Sequence, residues 1–77
     1  MKIKVLFFGV LAEVAGTAGQ NYEEVKSFND LIQMIKDDYP EFVNYNYRIS
    51  VNNEIINNDL LLNDGDEVAL MPPFAGG

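Results

Sequence analysis

The longest helical pattern in the sequence is a single amphipathic segment at residues 27–39. Ser27 is a good N-cap, with Asp30 three residues later as a weaker form of the capping box. Apolar residues follow at helical spacing and form one stripe: Phe28, Leu31, Ile32 and Ile35. Pro40 disfavours helical geometry in the residue before it, so the helix is expected to end near Tyr39. This apolar stripe has to be buried against another apolar surface, and the rest of the chain has to supply that surface.

The segments on both sides of this helix show the alternation that is typical of strands. Residues 2–9 are predicted to form the first strand, with Ile3, Val5 and Phe7 on its core face. A short helical turn follows and ends at Gly16, a common C-terminal stop. Residues 20–25 are predicted to form a second strand, antiparallel to the first because the connection is short.

After the helix, residues 41–46 are expected to be irregular, and alternation returns at residues 47–51. Asn52 and Asn53 form a tight-turn pair before a short strand at residues 54–56. Residues 60–62 are expected to lie in a compact connection, and residues 63–66 have the composition of a turn. Residues 67–71 form the predicted last strand, with Val68 and Leu70 facing inward.

This order of elements predicts an α+β fold of the β-grasp type, as in ubiquitin, with a mixed sheet of four to five strands covered by one main helix. The two terminal strands are expected to lie side by side in parallel. The order alone leaves ferredoxin-like and other small α+β folds open. Since the sequence has no repeat and no linker, residues 1–77 are predicted to be one domain, with a flexible tail at residues 72–77.

Composition excludes several kinds of chemistry. The chain has no cysteine and no histidine, which removes thiolate nucleophiles, the usual general base and most zinc sites. Asp64, Asp66 and Glu67 are close in sequence but lack the spacing of a calcium loop, so no metal site is predicted. Five basic and twelve acidic residues give a net charge of −7, which disfavours nucleic acid and anionic membranes and favours a partner with a basic face. The absence of a long apolar run at the start predicts a cytoplasmic protein.

The sequence ends in a segment that adds little to a core: Pro72, Pro73, Phe74, Ala75, Gly76 and Gly77. The two prolines favour a stiff, extended spacer, and the two glycines carry no Cβ. Such a tail can thread a narrow channel and bring the terminal carboxylate of Gly77 to a buried reaction centre. The alternative is a frayed terminus that happens to be rich in glycine.

Alternation also places apolar residues on the sheet face away from the helix: Leu6, Phe8, Ile55 and Met71. If their strands are neighbours, these residues form an apolar patch beside the tail, which is typical of a protein interface. Scattered exposed apolar residues on a monomer are the alternative. Arg48, the one arginine, is expected to face outward with Ser50 and to serve an interface or a surface ion pair.

Several stretches together resemble the small subunits of molybdopterin synthase, a family of ubiquitin-like sulfur carriers. They are residues 3–9, 15–17, 51–52 and 64–69 and the closing segment 72–77, so the resemblance runs the length of the chain. The Gly-Gly ending is shared by all ubiquitin-like carriers, whereas the proline pair before it is more discriminating. Ala12 stands where many members carry an arginine, at a position associated with docking the activating enzyme, and Phe74 and Ala75 stand where valine followed by serine or threonine is frequent.

The resemblance implies an activation cycle at Gly77. A ubiquitin-activating-type adenylyltransferase uses ATP and magnesium to adenylate the terminal carboxylate, and a sulfurtransferase supplies the sulfur that converts it to a thiocarboxylate. The tail then enters the large synthase subunit, where sulfur passes to cyclic pyranopterin monophosphate. By this resemblance Phe8, Ile55 and Met71 contact the large subunit, and this chain alone is not catalytic and binds no cofactor.

Three alternatives remain open at this point. The chain is a sulfur carrier for thiamine, for tungsten cofactor or for transfer RNA thiolation; or it is a ubiquitin-like modifier joined through Gly77 to lysines of other proteins. The third alternative is a plain binding module that uses the outer face of its sheet.

Overall fold

Five strands form one sheet, and one long helix packs against one of its faces. The computed structural model describes residues 1–56 and 61–73. Its elements, in chain order, are β1 (Ile3–Phe7), α1 (Val10–Ala15), β2 (Gly19–Tyr22), α2 (Phe28–Asp38), a 3₁₀ helix (Pro40–Asn44), β3 (Arg48–Val51), β4 (Glu54–Ile56) and β5 (Glu67–Met71). No helix in the described part of the chain is long and apolar enough to cross a membrane.

The strands are arranged in the order β2-β1-β5-β3-β4. β1 pairs in parallel with β5, and the other three pairings are antiparallel. The predicted mixed sheet of the β-grasp type, with its terminal strands side by side in parallel, is therefore confirmed. β5 lies at the centre of the sheet, between β1 and β3, and this position determines where the tail begins.

The core lies between the sheet and α2. Ile3, Val5 and Phe7 of β1 are buried, as predicted, and so are Val68 and Leu70 of β5. From α2 the core receives the predicted residues Phe28, Leu31 and Ile35, whereas Ile32 is half-buried at its edge. Full burial of one such side chain contributes about 1.5–3 kcal/mol, so these positions supply most of what holds the domain together.

The two ends of α2 are formed by the residues that the sequence indicated. The Ser27 hydroxyl accepts a hydrogen bond from the Asp30 N–H at 3.0 Å, which is the predicted N-cap. The Asp30 carboxylate reaches one residue further back than in a capping box and accepts from the Lys26 N–H at 2.9 Å. At the other end the Tyr39 N–H donates to the Ile35 carbonyl at 2.9 Å, and Pro40 begins the next element.

The second strand is shorter than the predicted range of 20–25. β2 ends at Tyr22 because Glu24 has a φ of +58°, which turns the chain away from the sheet. Val25 is nevertheless buried, and its N–H donates to the Met1 carbonyl at 2.9 Å. The two predicted anchors, Tyr22 and Val25, are thus both in the core, although only the first belongs to the strand.

Residues 41–46 were expected to be irregular, and that expectation was wrong for most of them. Pro40 sets the φ of the first residue of a 3₁₀ helix that extends to Asn44. This helix buries Phe42, whose ring stacks on that of Tyr39 with the ring centroids 5.2 Å apart. The same ring meets Phe7 edge-on, with a centroid distance of 5.5 Å. A single aromatic side chain, which belongs to no periodic pattern, therefore organises this segment.

The predicted turns are present. Asn52 and Asn53 have φ values of +50° and +74°, as the tight hairpin between β3 and β4 requires. Gly16 ends α1 in the left-handed conformation, with a φ of +74°. In the predicted connection 60–62, Leu60 lies outside the described residues, Leu61 is exposed and Leu62 is buried.

A hydrogen-bond network, which no pattern in the sequence indicated, joins the end of α2 to β2. The Asp38 carboxylate accepts a hydrogen bond from the Tyr22 hydroxyl at 2.8 Å and another from the Gln20 amide at 3.2 Å. The Tyr39 hydroxyl donates to the Gln20 amide oxygen. Burial, and next to it the hydrogen bond to Asp38, raises the pKa of Tyr22 above its ordinary value.

Candidate functional site

The tail begins at the end of the central strand. β5 ends at Met71 and is followed by Pro72, which is half-buried, and Pro73, which is exposed. The Phe8 N–H donates to the Leu70 carbonyl at 3.1 Å, which continues the parallel pairing past the end of β1. The tail root, residues 71–73, is therefore held by the same ladder that forms the middle of the sheet.

A glycine packs directly on the tail root. Gly9 has a φ of +58°, a conformation that residues with side chains rarely adopt. A Cβ built on Gly9 would lie 2.8 Å from Cγ of Pro72. The loop between β1 and α1 thus lies against the first proline and limits the directions in which the tail can leave the domain. Nothing in the sequence pattern indicated this contact.

The register of the sheet brings residues of four strands into one row on the outer face, by which we mean the face away from α2. Leu6 of β1 lies opposite Ala69 of β5, Ala69 opposite Ser50 of β3, and Ser50 opposite Ile55 of β4. Neighbouring strands are about 4.8 Å apart, so this row crosses the sheet. Ser50 was expected to face outward, and it does lie on this face, but it is only 6% exposed.

The next row lies beside the tail root. Met71 of β5 is opposite Arg48 of β3, and Phe8 follows the end of β1 on the other side. Phe8 is 45% exposed and Ile55 54%, whereas Leu6 and Met71 are half-buried. The structure thus places these four residues, hereafter the outer patch, on the outer face, with Phe8 and Met71 at the tail root and Ile55 across β3 from them. Their role as a partner interface stays a prediction.

The other predicted site residues are those of the tail. Phe74, Ala75, Gly76 and Gly77 lie outside the described residues. What the structure describes is their point of attachment: the end of a central strand, two prolines and an apolar patch beside them.

The acidic turn at residues 63–66 lies at the opposite end of β5 and has a structural role. The Lys2 N–H donates to the Asp64 carboxylate at 2.6 Å, which fastens the start of β1 to the turn. The Asp66 carboxylate accepts from the Asn63 N–H at 2.8 Å and from the Asn52 amide at 3.0 Å. These two hydrogen bonds, the first more than the second, hold the pKa of Asp66 below its ordinary value.

No group of three carboxylates, histidines or cysteines that could hold a metal ion occurs within residues 1–56 and 61–73. The carboxylates of Asp64 and Asp66 have backbone and amide donors as their partners instead.

Comparison with curated proteins finds relatives over the full length. The chain is 33% identical over 82 residues to the molybdopterin synthase sulfur carrier subunit of Mycobacterium tuberculosis, covering all of this chain and 99% of the relative. It is 36% identical over 83 residues to the protein of the same name from Chlamydomonas reinhardtii, with both chains covered completely.

Solved structures agree in fold. A Pyrococcus furiosus protein described as molybdopterin converting factor, subunit 1, superposes with a TM-score of 0.83 at 30% identity, covering 96% of this chain and 99% of that one. A complex of subunits 1 and 2 of the Helicobacter pylori molybdopterin-converting factor gives a TM-score of 0.76 at 25% identity, with full coverage of both chains. Small archaeal modifier protein 1 of Methanosarcina acetivorans gives 0.81 at 26% identity, covering 99% of this chain and 96% of that one.

The family match agrees with the fold and with these relatives. Residues 5–77 match the ThiS family, a span that includes four of the five strands entirely, both α-helices and the whole tail. The chain belongs to the ThiS family.

Proposed function

We propose that this chain is a sulfur carrier and the small subunit of a molybdopterin synthase, with the sulfur carried as a thiocarboxylate on Gly77. Its full-length similarity to two molybdopterin synthase sulfur carrier subunits supports this function. The observation that carries the proposal is structural: the central strand leads directly into a proline pair, and the tail root lies beside the outer patch.

The arrangement suits a carrier for a physical reason. A reactive terminus has to reach a buried site in another protein while the domain itself stays outside. From Pro72 to Gly77 the tail spans at most about 20 Å when it is fully extended. The partner must therefore lie directly against the tail root, where the outer patch offers apolar area for contact.

Activation of the terminus requires two other proteins in this proposal. A carboxylate is a poor electrophile, so a ubiquitin-activating-type adenylyltransferase joins it to AMP at the expense of ATP, with magnesium, and releases pyrophosphate. Sulfur that a sulfurtransferase delivers at the oxidation level of sulfide then attacks the carbonyl carbon; the C–S bond forms as the C–O bond to AMP breaks, and AMP leaves. The dependence on ATP is consistent with work in the cytoplasm.

The large synthase subunit is the proposed acceptor and supplies the catalytic groups. This chain has no histidine or cysteine, so it contributes the sulfur donor and no general base of those kinds. Binding of the large subunit to the outer patch aims the tail at its active site, where sulfur passes to cyclic pyranopterin monophosphate. The Helicobacter pylori complex of subunits 1 and 2 supports a partnership of this kind.

The test is the intact mass of this chain after purification from cells that also express its neighbouring genes. Replacement of one terminal oxygen by sulfur, localised to Gly77, is the expected result. A variant that lacks Gly76 and Gly77 is the matched control and should stay unmodified while folding normally. An unmodified full-length chain that is also not adenylated by a matched activating enzyme would contradict the proposal.

A second candidate is a protein modifier, and the similarity to the Methanosarcina acetivorans modifier favours it. In that case Gly77 forms isopeptide bonds with lysines of other proteins. Adducts that carry this chain in a cell lysate, and that disappear when Gly76 and Gly77 are deleted, would support the second candidate. Their absence alongside a thiocarboxylate would leave the carrier function alone.

A further inference from the structure

Arg48 is a cation at the edge of the outer patch. It is the first residue of β3 and lies opposite Met71, the residue just before Pro72. Directly opposed residues of antiparallel strands have Cα atoms about 4.5–5.5 Å apart. The exposed Arg48 side chain therefore starts next to the tail root, on the face that carries the outer patch.

This arginine has no ionic partner within the described parts of the chain. The one ion pair found there joins Lys2 and Glu23, two exposed residues. Lys4, another basic residue on the outer face, lies opposite Glu67, so its charge has an acidic neighbour. The row of Arg48 contains Met71 and leads to Phe8, and both are apolar. In a chain with twelve acidic residues, a cation with apolar neighbours is an unusual placement.

A partner that covers the outer patch also covers Arg48, and this restricts its chemistry. Burying an unpaired charge is strongly unfavourable, whereas a guanidinium that meets a carboxylate forms two parallel hydrogen bonds with it. The partner must therefore present an aspartate or glutamate within an apolar surface. The short tail requires that surface to adjoin the entrance through which the tail passes.

We infer that Arg48 pairs with a carboxylate of the large subunit beside the entrance for the tail, and that this pair sets the orientation of the docked carrier. The inference rests on the proposed function, because it takes the large subunit as the occupant of the outer face. It adds a charged contact to an interface otherwise described by apolar residues alone.

The experiment measures the dissociation constant of the complex between the full-length chain and the purified large subunit. Arg48→Gln removes the charge and should weaken binding about 30-fold or more, the range for one partner of a buried charge pair. Arg48→Glu should weaken it further, and Arg48→Lys should fall between Arg48→Gln and the original chain. The salt dependence of binding should also be shallower for Arg48→Gln.

Lys26→Gln is the matched control, since it makes the same change of charge at the other end of the sheet. Lys26 is exposed and follows Val25, whose N–H is bonded to Met1 at the start of β1. Its dissociation constant should stay within about 3-fold of the original. Thermal unfolding of each variant shows whether the fold is retained.

Three results would overturn the inference. The first is unchanged binding by Arg48→Gln, and the second is an equal loss in Arg48→Gln and Lys26→Gln, which would indicate a general charge effect. The third is a loss of adenylation with unchanged binding to the large subunit, which would assign Arg48 to the activating enzyme.

If the original chain carries a thiocarboxylate while Arg48→Gln binds normally, only this inference fails; if no thiocarboxylate forms, the proposed function fails.

Discussion

The two faces of the sheet are built from the same strands but differ in what covers them. On the inner face the apolar residues of β1 and β5 are buried under α2. On the outer face Phe8 and Ile55 leave about half of their surface exposed. Phe7 and Phe8 are adjacent in the sequence, and one is buried whereas the other is not.

The two faces contribute differently to the stability of the domain. Buried side chains stabilise the fold in proportion to the apolar area they remove from water, and exposed ones contribute much less. The stability of the domain alone therefore does not explain the apolar residues of the outer face. The proposed docking of a partner on this face would explain them, and the outer face should then tolerate changes that the inner face does not.

The largest effect is expected on the inner face. Phe7→Ala removes a ring that contacts Tyr39 at 5.2 Å and Phe42 at 5.5 Å, and leaves a cavity in the core. The free energy of unfolding should fall by about 3–5 kcal/mol, a large part of the total for a small domain. Urea denaturation measures this loss. Phe8→Ala is the control, and an equal loss in that variant would break the comparison between the faces.

An intermediate effect is expected at the edge of the core. Tyr22→Phe removes the hydrogen bond to Asp38 and should cost about 1–2 kcal/mol. The pKa of Tyr22 is raised in the folded state, so the neutral phenol contributes stability that is fully present below its unfolded pKa of 10.0 and is lost as the pH rises above it.

Denaturation of Tyr22→Phe and of the original chain at several pH values tests whether stability falls with rising pH as expected. Above about pH 10 the original chain should lose stability with rising pH more steeply than Tyr22→Phe does. Tyr39 and Tyr47 also have raised pKa values, so the variant should keep part of the slope. Parallel curves for the two proteins would show that Tyr22 does not contribute.

The smallest effect on stability is expected on the outer face. Phe8→Arg and Met71→Glu should change the free energy of unfolding by about 0.5 kcal/mol or less. Both should nevertheless weaken the complex with the large subunit, because they place a charge in the outer patch. Val43→Arg is a suitable control, since Val43 is 84% exposed in the 3₁₀ helix. Unfolding by either outer-face variant would show that the face assignment is wrong.

Local patterns predicted most of the fold, because each element carries its own signal. The stripe of α2, the cap at Ser27 and the alternation of β1 and β5 depend on near neighbours in the sequence. The contacts that were missed join distant residues: Tyr22 with Asp38, and Gly9 with Pro72. Their partners are decided by the assembled fold, so no local pattern reveals them.

The candidate site was likewise predicted where its signal is local and missed where it depends on the assembled sheet. Alternation predicted that the four residues of the outer patch share one face, and the register showed that Ser50 and Ala69 lie between Leu6 and Ile55 in their row. The burial of Ser50 depends on that register, and the sequence could not indicate it. The early end of β2 has a local cause, the positive φ of Glu24, but glutamate is not a residue that signals it.

The central position of β5 also has a mechanical consequence. A pull on the tail acts on a strand that is hydrogen-bonded along both edges, to β1 and to β3. Peeling β5 away would break both ladders and expose Val68 and Leu70, which amounts to unfolding the domain. Force applied at the tail root is thus transmitted through β5 to the whole sheet and not to one loop.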